Sequence, residues 1–372
     1  MDIRRLLFGL NEVEGIGWKS IDKIRRSGLL NEVAFGLSAD AWEKVGLTPK
    51  MSQRLAEGLG SGWINARLLL MKESGAEMVT IFDEEYPALL KETQQPPWVL
   101  YYRGNLALAS RPAIAMVGTR VPTAYGRKAG EMLAEELSRS GLTVVSGLAR
   151  GIDSVCHEAA LRGEGSTIAV VATGLDKVYP PENRELERRI AGDGLVISEY
   201  PLGTKSHPGL FPQRNRIIAG LSLGTLVVEA DSRSGSLITA DAALEAGRDV
   251  FAVPGPLTSP KSRGALELIK QGAKLVTGAA DVIEEYIAYL PGKIAKPGGL
   301  SPFCVENEDL QAEKKLTSEE SQLYHILHQG PFTLDELLGR TGWDFGHLHS
   351  VLLSLIIKKA VTQLPGAVYK VI

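Results

Sequence analysis

The pattern of apolar and polar positions changes three times along the chain. In the first part, apolar residues recur at helical spacing in IRRLLFGL, WKSIDKIRRSGLL and SGWINARLLLMKES. This spacing predicts amphipathic helices. A Gly-x-Gly break in EGIGW, of the kind that joins paired helices, separates the first two. We therefore expect residues 1–75 to form an all-helical domain.

From residue 76 onward, short apolar runs alternate with helical segments such as GRKAGEMLAEELSRSG and LITADAALEAGRD. The apolar runs are AIAMVGT, LTVVSG, STIAVVATG, GLVISEY, TLVVEA and DVFAVPG. Strands that are apolar along nearly their whole length are typical of a parallel sheet covered by helices on both faces. Residues 76–290 are thus predicted to form an α/β domain with a parallel sheet.

The alternation of apolar runs and helical segments ends at PGKIAKPGGLSPFCVENEDLQAEKKL, which is rich in Pro, Gly and charged residues and has no periodicity. We interpret residues 291–316 as a linker. Residues 317–372 then resume with SEESQLYHILHQG, TLDELLGRTG and HLHSVLLSLIIKKA, followed by VTQLPGAVYKV. Three helices and a hairpin about a Pro-Gly turn are the element order of a winged helix, so we predict a winged-helix-like domain here.

Composition narrows the class of protein. A chain of 372 residues with 44% hydrophobic and 23% charged residues has room for two or three globular domains. Its formal net charge of −3 gives no global basic field, so any anion site must be local. The two cysteines form no CxxC pattern, which disfavours a disulfide framework or a zinc site. No apolar run is long enough for a membrane helix, so we expect a soluble, cytoplasmic protein with no metal site.

Polar and glycine residues fall repeatedly just after the predicted strands of the α/β domain. In an open parallel sheet these loops meet at the carboxyl ends of the strands, where such folds bind ligands. Glycine lets a ligand approach the backbone, and helix N-termini favour anions. These loops, together with FPQRNR, therefore outline a phosphate-binding surface. Its candidate residues are Gly118, Thr119, Arg120, Ser146, Gly147, Arg150, Gly151, Lys177, Asn183, Arg184, Arg214, Asn215, Arg216, Ser234, Gly235 and Ser236.

The two arginines of FPQRNR also have a purely structural interpretation. Arg214 and Arg216 precede an aliphatic run, and each is a candidate for an internal ion pair with a carboxylate. The carboxylates we considered are Glu199, Glu229 and Asp231. The residues alone leave both interpretations open, and a mononucleotide stays open as the ligand.

Motifs for catalysis are missing from the places where they would be expected. The chain has no GxGxxG after its first strand, no GxxxxGK[ST] and no GxSxG elbow at a strand-to-helix turn, since its GLSLG stands before the predicted strand TLVVEA. Asp153 is better explained as a residue that braces its loop than as a catalytic acid, and His157 as a packed histidine than as a base. We predict neither catalytic residues nor a cofactor. Tyr179, Tyr200 and Phe211 lie in or near the same loops as the cations, a combination that suits single-stranded nucleic acid.

The α/β domain resembles the DprA/Smf family of DNA-processing proteins. The resemblance spans residues 114–276 and rests on these stretches: VGTR, VVSGLARGIDSVCHEAAL, TIAVVATGLDKVYPPEN, ISEYPLGT, FPQRNRIIAGLS, LVVEADSRSGSLITADAALEAGRDVFAVPG and GALELIKQGAKLV. It implies an extended Rossmann-like sheet flanked by an N-terminal helical domain of SAM or helix-hairpin-helix character and a C-terminal winged helix.

The resemblance also implies a function without catalysis. Members of the family bind single-stranded DNA in a basic pocket, form homodimers through the Rossmann-like domain and load RecA during natural transformation. The family's Gly-Ser-Arg element corresponds to Gly118, Thr119 and Arg120, with Thr in place of Ser. Lys177 and Arg184 are both candidates for the basic residue that follows GLDKVYP. At least one arginine of the RNR element would face DNA phosphate, with Asn215 bracing the loop.

The net charges of the two outer segments indicate their roles, and two functions other than DNA binding stay open. The 317–372 segment has a net charge of −1, which favours a protein contact over a grip on duplex phosphates. The 1–75 segment has a net charge of +2, and its GIGWKS turn suits either a phosphate contact or a plain interhelical turn. The alternative to DNA binding is an enzyme related to lysine-decarboxylase-like phosphoribohydrolases, although the chain lacks their PGGxGT element. A scaffold with a vestigial pocket is the third possibility.

Overall fold

The computed structural model describes residues 3–290, 317–328, 330, 332–358, 360–364 and 368–371. The chain divides into two compact units, Met1–Gly298 and Gly299–Ile372. The predicted linker at 291–316 lies outside the described residues. No helix in the described ranges is both long and apolar enough to cross a lipid bilayer.

The first unit is built on a nine-stranded sheet. The six predicted strands are all present, as β3 to β8. They pair with one another in parallel, and two strands that the sequence did not predict, β1 and β2, add an antiparallel edge beside β6. The strands are β1 Glu77–Thr80, β2 Val99–Gly104, β3 Ala113–Gly118, β4 Thr143–Ser146, β5 Thr167–Val171, β6 Leu195–Ser198, β7 Gly224–Glu229, β8 Asp249–Ala252 and β9 Lys274–Leu275.

The strand order is β1-β2-β6-β5-β4-β3-β7-β8-β9. Its section from β5 to β9 is the 3-2-1-4-5-6 order of a Rossmann fold, so the predicted fold class is confirmed. The order reverses between β3 and β7, and ligands of such sheets bind in the crevice at this switch point. The topology therefore identifies the carboxyl ends of β3 and β7 as the place to look for a site.

Helices cover both faces of the sheet, as its apolar strands predicted. Along β3, Ile114 and Met116 pack on one face, while Ala115 and Val117 pack on the other. This alternation arises because successive side chains of a strand point to opposite faces. The helices of the unit are α1 Ile3–Glu12, α2 Trp18–Arg26, α3 Ala39–Lys44, α4 Pro49–Gly58, α5 Ser61–Glu73, α6 Ala88–Lys91, α7 Ala124–Arg139, α8 Ile152–Ala160, α9 Arg184–Asp193, α10 Leu210–Gly220, α11 Gly235–Glu245, α12 Arg263–Lys270 and α13 Ala280–Tyr286.

The N-terminal helices share an apolar core with the sheet. Leu6 and Phe8 of α1 belong to the same buried cluster as Tyr101 of β2. The indole rings of Trp18 and Trp98 stack with their centroids 6.0 Å apart. The expected boundary at residue 75 coincides with the passage from α5 to β1, yet both sides lie within one compact unit. That residues 1–75 form a separate domain stays a prediction.

The second unit has the element order of a winged helix, with one short strand more than the sequence predicted. Its N-terminal helix begins with a capping box in which the Thr317 and Glu320 side chains satisfy each other's backbone amides. The carboxylate of Glu320 also accepts from Lys358 and Ser354, which fastens the first helix to the third. The elements are α14 Ser318–Leu327, β10 Phe332–Thr333, α15 Leu334–Thr341, α16 Phe345–Ile357, β11 Val361–Leu364 and β12 Val368–Val371.

Candidate nucleic-acid interface

The loops that follow β3, β4, β5, β6 and β7 surround an open cleft of about 560 Å³ at the switch point of the sheet. Arg120 and Arg214 line both this cleft and a smaller adjoining pocket, which Gly147 and Arg150 also line. The cleft residues are Val117, Gly118, Arg120, Ala149, Asp153, Tyr179, Pro208, Phe211, Pro212, Arg214, Asn215, Ser234, Gly235, Ser236, Ile238 and Thr239. Much of the predicted surface thus does come together in space.

Glycine is required where the first two loops pass close to each other. A Cβ on Gly118 would lie 2.6 Å from Ile152 Cγ1, and one on Gly151 would lie 2.4 Å from the Thr119 carbonyl oxygen. Gly151 also has a positive φ of 81°, which other residues rarely adopt. The two loops are held together because the Ile152 amide donates to Thr119 O at 3.2 Å.

Arg214 is the unusual residue of the cleft, because it is a cation with only 5% of its surface exposed. Its guanidinium lies against Gly147, where a Cβ would be 1.4 Å from Arg214 Nη1. Burial lowers the pKa of Arg214, the Asp153 carboxylate opposes that shift, and Arg120 adds to it. Arg214 Nε has no hydrogen-bond partner among the described residues. Burying a cation with an unsatisfied donor is costly, so Arg214 is a candidate for contact with an anion.

Arg216 has a different environment, although it is two residues away. Its guanidinium forms a two-pronged ion pair with Glu199 at 2.5 and 2.6 Å and also donates to the Gln95 carbonyl. Burial raises the pKa of Glu199, and Arg216 opposes that rise. Arg216 is not among the residues that line the cleft. The internal ion pair considered from the sequence therefore exists for Arg216, with Glu199 as its partner.

The side chains of Asp153 and His157 stabilise the loop after β4 by hydrogen bonds to its backbone. Asp153 Oδ2 accepts from the Gly147 and Ala149 amides at 3.2 and 3.3 Å. His157 Nε2 accepts from the Leu148 amide at 3.3 Å, and His157 Nδ1 lies 2.7 Å from Thr167 Oγ1. The contact with the Leu148 amide requires a neutral imidazole, because Nε2 must keep its lone pair. The arrangement agrees with the interpretation of Asp153 as a bracing residue and His157 as a packed one.

This bracing predicts a pH dependence of stability. Burial, and secondly the charge of Arg214, lowers the pKa of His157 to about 3. An unfolded chain protonates this histidine near its ordinary pKa of about 6.5. The stabilisation is therefore complete above about pH 6.5 and is lost as the pH falls towards 3. We expect His157 to account for a loss of about 1 kcal/mol in unfolding free energy between about pH 7 and 5.5.

Urea unfolding of the full chain at a series of pH values measures this loss. A His157→Gln variant keeps an acceptor and a donor but cannot titrate, so its unfolding free energy should depend less on pH than that of the wild type. Equal pH dependence in the two proteins would show that His157 does not couple protonation to folding.

Aromatic rings form one wall of the cleft. The Tyr179 and Phe211 ring centroids are 5.7 Å apart, and the Arg120 guanidinium carbon lies 5.5 Å from the centroid of the Phe211 ring. Tyr179 is 43% exposed, so one face of this wall is open to solvent. The sequence showed these aromatic residues near the loops, but the candidate set did not include them. Their spacing along the chain, 32 positions, gave no sign that the rings touch.

The other candidate residues from the loops after β4 and β5 divide into buried residues and exposed ones. Ser146 is fully buried and donates to Met116 O at 2.6 Å. Asn183 is also buried, and its Nδ2 donates to Leu148 O at 2.8 Å. The side chains of Ser146 and Asn183 thus hold loops in place. Three cations are exposed at the surface: Arg150 pairs with Glu182, Lys177 lies 3.2 Å from Asp176, and Arg184 begins α9.

The loop after β7 presents the N-terminus of α11 to the cleft. Ser234 caps the helix by accepting from the Ser236 amide, and the two hydroxyls lie 2.7 Å apart. Asn215 Nδ2, from α10, donates to Gly235 O at 3.4 Å and so connects α10 to this loop. Glu229, once a possible partner for an arginine, instead accepts from both the amide and the hydroxyl of Thr123.

An open, mostly parallel sheet whose switch-point cleft combines glycine loops, two arginines and aromatic rings defines a Rossmann-like protein with a cation-lined cleft. Residues 77–287 match the model of the family described as DNA recombination-mediator protein A, and residues 307–367 match that of the DprA winged helix domain. The chain belongs to the DNA recombination-mediator protein A family, DprA/Smf, as its sequence suggested.

Relatives match over most of the chain. Protein Smf of Synechocystis is 38% identical over 328 residues, which cover 80% of this chain and 81% of that protein. A crystal structure of DNA processing protein A from Streptococcus pneumoniae has a TM-score of 0.67 at 37% identity and covers 77% of this chain and 98% of that one. A Helicobacter pylori DprA structure, which concerns the single-stranded DNA binding mode of that protein, has a TM-score of 0.53 at 32% identity and covers 57% and 96%.

Proposed function

We propose that the protein is a recombination mediator that binds single-stranded DNA in the switch-point cleft. The observation that carries this proposal is Arg214, a buried cation with an unsatisfied Nε beside an open cleft. Arg120 adds a second, exposed cation to the same wall. Support also comes from the related Helicobacter pylori protein, whose structure concerns a single-stranded DNA binding mode.

In this proposal the cations and the aromatic rings act on different parts of the strand. Arg120 and Arg214 bind backbone phosphates, and the exposed face of Tyr179 stacks on a base. Stacking on an aromatic face accepts any base, so binding has little sequence preference. Lys177, Arg150 and Arg184 extend the basic surface along the strand, whereas the buried Ser146, Asn183 and Asn215 and the paired Arg216 hold the loops.

The cellular role that we propose follows the family. The protein protects incoming single strands, loads RecA onto them, and forms a homodimer through its Rossmann-like domain. We also propose that it acts without catalysis. His157 is buried and neutral beneath the cleft, and both of its ring nitrogens are engaged by the protein, so it is not available as a general base.

The affinity of the wild-type protein for labelled oligothymidylate, measured by fluorescence anisotropy across a salt series, tests this function. Two phosphate contacts predict a log–log slope of about −1.4 or steeper, at about −0.7 per phosphate neutralised. A duplex of the same length should bind more weakly, because its bases cannot reach Tyr179. Absence of binding at low salt would contradict the proposal, and turnover of a nucleoside monophosphate would favour an enzyme.

A further inference from the structure

The N-terminus of α11 and the guanidinium of Arg214 line the same cleft. Within the first turn of α11, the amides of Ser236 and Leu237 donate back to Ser234. Gly235, the first residue of the helix, is exposed, and no atom lies within 4 Å of a Cβ built on it. The amide end of an eleven-residue helix therefore faces open space in the cleft, where its dipole favours an anion.

Arg214 is a second and independent sign of an anion at this position. Only 5% of its surface is exposed, although it lines the cleft. Its Nε has no hydrogen-bond partner among the described residues. The Asp153 carboxylate partly offsets the charge of Arg214, while its hydrogen bonds come from the Gly147 and Ala149 amides.

The charge and size of the cleft fit a nucleotide with a free phosphate group. Arg120, Arg214 and the N-terminus of α11 all line the cleft and can donate to an anion there, and a phosphomonoester offers three free oxygens with a charge of about −1.5 to −2. An internal phosphodiester of a strand offers two free oxygens and a single charge. The cleft volume of about 560 Å³ lies within the range of small-molecule binding sites. Binding the middle of a DNA strand requires only an open groove.

We propose that the cleft binds the terminal phosphomonoester of a nucleotide in preference to an internal phosphodiester, either at the phosphorylated end of a DNA strand or as a free nucleoside monophosphate. This inference rests on the proposed function, because it assigns a preferred part of the nucleic acid to the same cleft. The terminal phosphate lies between Arg214 and the amide end of α11, and the attached base lies against Tyr179.

Anisotropy with matched oligothymidylates that carry a 5′-phosphate, a 3′-phosphate or only hydroxyl ends tests the strand-end form. One of the phosphorylated strands should bind at least about tenfold more tightly than the hydroxyl strand, as expected for one additional charged hydrogen-bonding group. Calorimetric titration with thymidine 5′-monophosphate, against thymidine, tests the free-nucleotide form. A preference in either titration supports the inference, and the titration that shows it identifies the source of the phosphate.

Gly235→Asp adds a carboxylate where the terminal phosphate is expected. A helix N-terminus tolerates aspartate well, so the variant should fold. Its affinity ratio between phosphorylated and hydroxyl strands should fall to about one, while the neutral Gly235→Asn should keep most of the ratio. Equal affinity of the wild type for all three strands, together with no binding of the monophosphate, would overturn the inference. Binding of the hydroxyl strand, which has no terminal phosphate, tests the proposed function alone. Failure of that function would therefore appear as loss of binding to this strand, separately from the preference for a phosphate.

Discussion

Replacing Arg120 and Arg214 together by alanine is expected to weaken binding of oligothymidylate by at least about a hundredfold at low salt. Each charged hydrogen-bonding contact contributes roughly 1.5–3 kcal/mol, and every 1.4 kcal/mol is about tenfold in affinity. The log–log salt slope should also become shallower by about 1.4, because two phosphates are no longer neutralised. Both values come from the same anisotropy titrations.

The matched control for this variant removes two arginines far from the cleft. Arg139 ends α7 and Arg162 follows α8, and both are exposed beside Glu135. The Arg139→Ala/Arg162→Ala variant should bind DNA like the wild type, since exposed ion pairs contribute little and neither residue lines the cleft. If the Arg120/Arg214 variant bound as tightly as this control, the cleft would not be the DNA site.

The second large effect is expected from Gly147→Ala, which removes no charge at all. The added Cβ would lie 1.4 Å from Arg214 Nη1 and 2.3 Å from its Cζ, so the guanidinium must leave its position. We expect the affinity for single-stranded DNA to fall about as far as it does in Arg214→Ala. Overpacking at this buried position should also lower the free energy of unfolding by about 1–3 kcal/mol.

Gly192→Ala is the control for the glycine substitution. Gly192 lies in α9, with no atom within 4 Å of its Cβ position, so alanine there should leave binding unchanged and slightly stabilise the helix. Anisotropy and urea unfolding of the two variants separate the effect on binding from the effect on folding. Wild-type affinity in Gly147→Ala would mean that the buried position of Arg214 is not needed for binding.

The sequence was sufficient to predict the core of the fold and the location of the cleft. The six uniformly apolar runs became β3 to β8, because burial on both faces leaves a clear signal in each strand. The strands β1, β2 and β9 were not predicted. β9 has only two residues, β1 (EMVT) mixes polar with apolar residues, and β2 ends in the partly exposed YRG, so their patterns are too short or too mixed to recognise.

The roles of individual polar residues were harder to predict, and Arg214 and Arg216 illustrate the reason. Residues two positions apart on a helix face different directions. On α10, one arginine therefore faces the cleft, and the other reaches Glu199 at the end of β6. Which of them faces which way depends on how α10 packs, and a single sequence does not contain that information. For the same reason, Asn183 lies in the segment that follows β5 but has its side chain turned inward.

Photocross-linking with a strand that carries 4-thiothymidine tests the central claim most directly. After irradiation and digestion, mass spectrometry identifies the peptides that are attached to the strand. The proposed binding mode predicts cross-links on peptides that contain Tyr179 or Phe211, and their loss in the Arg120→Ala/Arg214→Ala variant. Cross-links confined to the winged-helix residues 317–371 would contradict it, because the strand would then lie on the second unit and not in the switch-point cleft.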